Sequence, residues 1–476
     1  MRAPIVHVTD NSIPSISDPE GRNWRVLVAL SLLVLAIAGP VKHDWGGTQQ
    51  ASRYLFSAAL WDDHTVVLDG YTHLLGRDHA LREGSIYSDK APGQPFFGAL
   101  FYGVYRVVGG EPAAGARSDP DIGLWWVTLW SATIPAAALA VLMYLWAKEV
   151  EPRSALAVAL MLTLGSMLFV YSTLLFGHAL AATLAAAMYL IVRRAGASGP
   201  MLVVAGLLGG SAVLVEYPVA LILVIITGAA FTMHRWRATL VLLGGIPPAI
   251  LLAIYNNATF GSPTTLSYQW VSWANPLNEA RTTFDMFDGP SIDRFLHLLF
   301  SQRGLFVATP IVVIGLMGLV PLWKRGFRVD AAVVGLSVCA MLFVQGSWGN
   351  SFAGGAGPRY LVPALPFLVA PLAISWTRWP RVSAAMSAIS VLTMTAATFS
   401  DPQLPSDFDA GLGYWLKSIA AGDVAPTLWT RGLGGFGWLV HGLTVLCAAG
   451  ALWRVSSRRA PAATVHLQSE LLSVPN

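Results

Sequence analysis

The side chains best suited to chemistry in this 476-residue chain are concentrated in one polar stretch, Lys42 to Pro92. It contains Asp44, Gln49, Gln50, Arg53, Asp62, Asp63 and the run Tyr87-Ser88-Asp89-Lys90-Ala91-Pro92-Gly93. A carboxylate can take the proton of an attacking nucleophile, and a nearby cation can offset charge on a departing phosphate. Asp89 and Asp44 are the candidates for the first task; Lys90, Arg53 and Arg359 are the candidates for the second. Asp89 and Lys90 are adjacent opposite charges, followed by Pro92 and Gly93, which fix a turn. They stand where the chain re-enters apolar sequence, so a lipid phosphate is within reach. The plainer readings are a loop salt pair at Asp89 and Lys90 and a solvated acid at Asp44.

Two more ionisable groups stand at the ends of apolar segments, His178 in Phe176-Gly177-His178 and Glu216 in Glu216-Tyr217-Pro218. An imidazole and a carboxylate at that depth can hold sugar hydroxyls or a divalent metal ion, the one cofactor these groups suggest. Their plainer role is to bond neighbouring helix ends. The glycine run from Gly349 to Gly357 has neither the spacing nor the following Lys-Ser or Lys-Thr of a phosphate loop. It reads as an external turn that positions Arg359.

Composition dictates what must position these groups. The chain is 55% hydrophobic and only 12% charged, with 18 Trp. No soluble core hides that much apolar surface behind so little charge, so the chain is an integral membrane protein. The net charge of +4 does not point to nucleic acid, because the bases lie in short clusters beside apolar segments. Cys339 and Cys447 both fall inside such segments and act as small hydrophobes, with no disulfide expected.

Apolar windows occur near 26–41, 122–147, 154–173, 178–192, 201–215, 217–233, 238–256, 304–323, 330–348, 360–376, 382–398 and 432–453. These are twelve expected transmembrane helices in an all-α polytopic fold. The loops after the second, fourth, sixth, eighth and tenth carry Lys148, Arg153, Arg193, Arg194, Arg235, Arg237, Lys324, Arg325, Arg328, Arg378 and Arg381, against only Glu149 and Glu151. Arg458 and Arg459 of the tail join them. An excess of bases on one side marks the cytoplasmic face, so both termini, residues 1–25 and 455–476, are expected there. The membrane-embedded domain, 26–454, then presents three long loops to the exterior: 42–121, 257–303 and 399–431. Asp69, Asp89, Asp285, Asp288, Asp293, Asp401, Asp407 and Asp409 lie in them. Within the first loop, 53–61 and 93–109 are amphipathic, and helices lying in the outer interface are expected there. No internal repeat is visible.

At three places the chain resembles a known family. One span is followed by a large external loop, with Arg53-Tyr54 near its start and Tyr87 to Pro92 near its end, and then by an interfacial helix. That order is similar to the GT-C superfamily of polyprenyl-phosphate-dependent glycosyltransferases, and most similar to its lipid-linked aminoarabinose transferases and protein mannosyltransferases. Phe260-Gly261-Ser262-Pro263 and Gly357-Pro358-Arg359-Tyr360-Leu361-Val362-Pro363 also resemble segments of bacterial members. One departure is clear: the family carries an Asp-Glu pair just ahead of its Arg-Tyr, whereas this chain has Gln49-Gln50-Ala51-Ser52. Either Asp44 or Asp89 supplies the carboxylate instead, or the chain is a divergent member with altered activity.

The resemblance implies a membrane enzyme of the cytoplasmic (plasma) membrane that moves a monosaccharide, hexosyl or pentosyl, from a polyprenyl-phosphate carrier. The acceptor would be an envelope glycan, lipid or protein on the outer face. Lys90, Arg53, Gln50, Arg359, Tyr360, His178 and Glu216 would line the substrate site, with Asp89 or Asp44 as the catalytic carboxylate. A flippase for lipid-linked sugars is the rival reading; it calls for charges within spans and duplicated halves, and the sequence has almost none of the former and no sign of the latter. A non-catalytic lipid-sugar binding protein is the third.

Overall fold

The computed structural model describes residues 23–43, 48–113, 122–194, 196–272, 282, 285, 287–348, 352, 354–405 and 408–457. Asp44, Asp407, Arg458 and Arg459 lie outside them, as does much of the run from Gly349 to Gly357. Each of the twelve apolar segments falls on helix among the described residues. By length and composition, Ile122–Val150, Tyr217–Phe260, Arg328–Ser347, Arg359–Arg378 and Phe436–Ser457 can each cross a bilayer, and the bent pair Ile292–Ala308 and Ile311–Lys324 makes up to six. Trp24–Ala38, Ala155–Leu164, Gly177–Val192 and Gly199–Val215 are apolar but shorter. The chain is a helical, multi-pass membrane protein; twelve counts its apolar helical segments rather than helices that are each long enough to cross alone.

The helices break where the sequence removes or diverts backbone donors. Pro218 follows Glu216 at one break, and Pro358 precedes the tight helix Arg359–Leu368, which contains Pro363 and Pro366. Proline has no amide hydrogen to continue the ladder, so the chain turns there. Between Met167–Ser172 and Gly177–Val192, residues 173–176 form a third break. These breaks carry Phe176, Glu216 and Arg359.

The first long loop differs from expectation in two respects. The amphipathic stretch around Arg53 is helical, Thr48–Ala58, but it is enclosed by protein, and Tyr54, Leu55 and Phe56 are fully buried. Its aromatic rings find partners on two other helices: Tyr54 on Tyr102, and Phe56 on Phe96 and Tyr255. The helix Gly93–Val107 does show an outward apolar stripe at Leu100, Val104 and Val107. A two-stranded antiparallel hairpin, Ala80–Arg82 with Ser85–Tyr87, interrupts an otherwise helical molecule.

The three long loops meet. Ala80 bridges Val271, and the Ser267 hydroxyl donates to the Asp89 carbonyl at 2.9 Å. Lys42 N donates to Pro426 O at 2.9 Å, and both terminal nitrogens of Arg303 donate to backbone carbonyls, Gly355 O at 2.8 Å and Pro405 O at 2.7 Å. At the opposite end of the helices, the Asp330 carboxylate accepts from Arg193 and Tyr189, both at 3.0 Å, and Arg193 also pairs with Glu149. That network fastens Ile122–Val150, Gly177–Val192 and Arg328–Ser347 together.

Candidate functional site

Two close backbone approaches set up the site. Gly93 begins its helix against the end of Gly199–Val215, where a Cβ would stand 2.6 Å from the Leu214 carbonyl carbon. Gly177 begins another beside Glu216, where a Cβ would stand 2.6 Å from the carboxylate. Larger residues would push Glu216 away from the start of Gly177–Val192, where a helix's positive end favours an anion.

Around Glu216 the broken helices and the first loop bring together most of the residues singled out from sequence. Arg53 donates to Glu216 Oε1 at 3.2 Å, and His178 Nδ1 is 3.5 Å from the same oxygen. Arg53 and Arg359 both lie over the Phe176 ring, with Cζ 5.2 Å and 5.7 Å from its centroid. Tyr360 faces Arg359 and lies edge-on to His178. Lys90 donates to Asp89 Oδ2 at 2.7 Å and approaches Asp78 at 3.5 Å. The other Asp89 oxygen accepts from Ser52 at 3.3 Å. Burial pushes the Glu216 carboxyl upward, and the positive charges of Arg53, Arg359 and Lys90 oppose it, in that order. All these groups are buried; Lys90, the most open, is 8% exposed.

The charges are not evenly matched along the cluster. Lys90 serves two carboxylates, and Arg53 is paired with Glu216. Arg359 has no carboxylate pair among the described residues; one terminal nitrogen reaches Gly354 O at 3.4 Å and its Nε has no partner. One end of the cluster is therefore rich in carboxylate, and at the other the buried Arg359 guanidinium has no ion-pair partner among the described residues. A buried charge without such a partner is costly. His178 also lacks hydrogen-bond partners on either ring nitrogen, enclosed by Tyr171, Phe176 and Tyr360. At the other end, burial holds the Asp89 carboxyl above the ordinary carboxylate range, with Asp78 adding to the effect and Lys90 opposing it.

Gln50 Oε1 accepts the Leu175 amide at 2.8 Å, so it braces the break that carries Phe176. Gln345 does the same at the next break, accepting the Tyr360 amide at 2.8 Å. Sequence reasoning missed Gln345, Ser52 and Asp78. Asp78 lies eleven residues before Asp89 in a featureless polar stretch, and only the intervening hairpin returns it to Lys90. Asp44 lies outside the described residues.

Among the described residues no three of His, Cys, Asp and Glu converge to fit a divalent metal, and the carboxylates Asp78, Asp89 and Glu216 already face Lys90 or Arg53.

No family model matches the sequence and no curated protein matches it. Solved structures do. ArnT from Cupriavidus metallidurans bound to undecaprenyl phosphate aligns with 91% of this chain and 75% of its own, at 14% identity and a TM-score of 0.48. The oligosaccharyltransferase AglB from Archaeoglobus fulgidus, in complex with an inhibitory peptide and a dolichol-phosphate, aligns with 90% of this chain at 13% identity and a TM-score of 0.47. This chain spans 60% of that AglB chain. A further structure of the Archaeoglobus enzyme is a complex with Zn and sulfate, at 13% identity and a TM-score of 0.45, covering 88% of this chain and 57% of that one.

Proposed function

We propose that this protein is a GT-C-type glycosyltransferase that moves a monosaccharide from a polyprenyl-phosphate carrier to an envelope glycan, lipid or protein acceptor at the outer face of the cytoplasmic membrane. The observation that carries this reading is the buried Arg359 without a carboxylate, beside Arg53, at one end of a cluster whose other end is Asp89 and Asp78. A phosphate-linked donor needs both ends. Asp89 takes the proton of the acceptor's hydroxyl or amine, the freed lone pair attacks the anomeric carbon, and the bond from that carbon to the phosphate oxygen breaks. The departing phosphate keeps the electron pair, and Arg359, Arg53 and Lys90 offset its charge. His178 and Glu216 lie together beside Arg53 and would hold sugar hydroxyls. In this reading all twelve apolar segments cross or enter the bilayer, and both termini are cytoplasmic.

The test is binding of polyprenyl phosphate to purified protein in detergent. Arg359→Gln removes the charge, and binding should weaken by about 1.5–3 kcal/mol, the range for a hydrogen bond to a charged group. That corresponds to roughly ten- to a hundredfold in Kd. A free monosaccharide, which lacks the phosphate, should bind both proteins equally. If Arg359→Gln binds polyprenyl phosphate as tightly as the parent, the phosphate site is elsewhere.

A further inference from the structure

The second long loop carries a helix that the proposed chemistry does not use, Ile292–Phe300. The chain bends by 92° between Ile292–Ala308 and Ile311–Lys324. With the apolar limb Ile311–Lys324 along the membrane normal, the limb before the bend lies in the membrane plane.

At about 100° per residue this helix divides into three faces. Ile292, Leu296 and Phe300, spaced four apart, form an outward stripe, 77%, 51% and 58% exposed. Phe295 and Leu298 point into the protein: Leu298 is fully buried, and the Phe295 ring lies so close to Gly346 that a Cβ there would overlap it. Asp293 is exposed beside the stripe, and the His297 ring packs edge-on against the buried Phe352, 4.9 Å between centroids. Arg294 ties the helix to the site's side of the molecule, donating to Asp288 at 3.0 Å, Gly289 O at 2.6 Å and Trp348 O at 3.5 Å. The Trp348 ring is 5.3 Å from that of Tyr360.

Three bulky apolar side chains in one row are unfavourable in water. The outward apolar surface continues at Val307 and, past the bend, at Met317 and Val320, on a limb apolar enough to lie in the bilayer. We infer that Ile292–Phe300 lies in the membrane interface on the site's side, with Ile292, Leu296 and Phe300 in the acyl region and Asp293 towards water. Its partner is lipid, and through Arg294 it fixes Trp348, and with it the Tyr360 wall of the site, at headgroup depth.

The inference is tested on the full chain with Cys339 and Cys447 replaced by Ala, reconstituted in phosphatidylethanolamine and phosphatidylglycerol vesicles. Single nitroxide labels are placed on Ile292→Cys, Asp293→Cys, Leu296→Cys and Phe300→Cys. A label on Leu336→Cys, an outward position of Arg328–Ser347, reports the hydrocarbon and verifies insertion. Labels at 292, 296 and 300 should collide with dissolved oxygen in preference to a water-soluble nickel chelate, and a label at 293 should do the reverse. Preferential nickel access at 296 would put the stripe in water and overturn the proposal. A label at 296 shielded from both reagents would assign the stripe to a protein partner and overturn it equally.

Discussion

Asp89 is held at both carboxylate oxygens, by Ser52 on one and Lys90 on the other. That fixes its aim without discharging it, because Lys90 is shared with Asp78. Asp89→Asn keeps the volume and removes the base, so turnover should fall by about 10²–10⁴-fold, the usual range for losing a general base. Thermal unfolding and a monodisperse profile serve to check the fold. The pH dependence has a definite sign. Burial and Asp78 push the Asp89 carboxyl upward, so its basic form, and with it the transfer rate, emerges only above the ordinary carboxylate range. Asp78→Asn removes one upward push and leaves Lys90 to Asp89 alone, which should move the acid limb of the rate profile to lower pH. A limb that moves upward or stays in place in Asp78→Asn would separate Asp89 from the chemistry.

The elements position these side chains by breaking rather than by running straight. Residues 173–176, Glu216 and Arg359 all sit where an apolar helix is interrupted, and each interruption frees backbone amides that must find partners in a dry interior. Gln50 and Gln345 answer two of them from other segments. Gln345→Leu keeps the bulk but leaves the Tyr360 amide buried without an acceptor, a loss of about 1–3 kcal/mol. Gln345→Glu retains an acceptor oxygen and should recover most of the donor affinity that Gln345→Leu loses. The two variants are compared by thermal unfolding and by donor binding. Equal donor binding in Gln345→Leu and the parent would show that the Tyr360 segment holds its place unaided.

At the scale of the whole molecule, the clustered bases predict orientation. A reporter fused after Arg194 or Arg325 should be cytoplasmic, and one inserted near Asp69 or Asp288 should be external. An external Arg325 would invert the arrangement and put the Asp89 cluster on the cytoplasmic side. The apolar segments were legible because lipid imposes a one-dimensional rule: long apolar runs with internally satisfied backbones, which a sequence displays directly. The Asp89-Lys90-Ala91-Pro92 turn was legible for the same local reason, opposite charges beside residues that fix the backbone. Burial of the Arg53 helix was not, because amphipathic periodicity is the same whether the apolar face meets lipid or Tyr102, Phe96 and Tyr255. The sequence by itself determined the class of molecule, its apolar helical segments and the first-loop residues suited to chemistry. Only the tertiary structure decided that Asp78 shares Lys90, that Gln50 braces a helix break and that the Arg359 Nε is left without a hydrogen-bond partner among the described residues. Those facts depend on which distant groups meet in a low-dielectric interior, and spacing along the chain does not encode them.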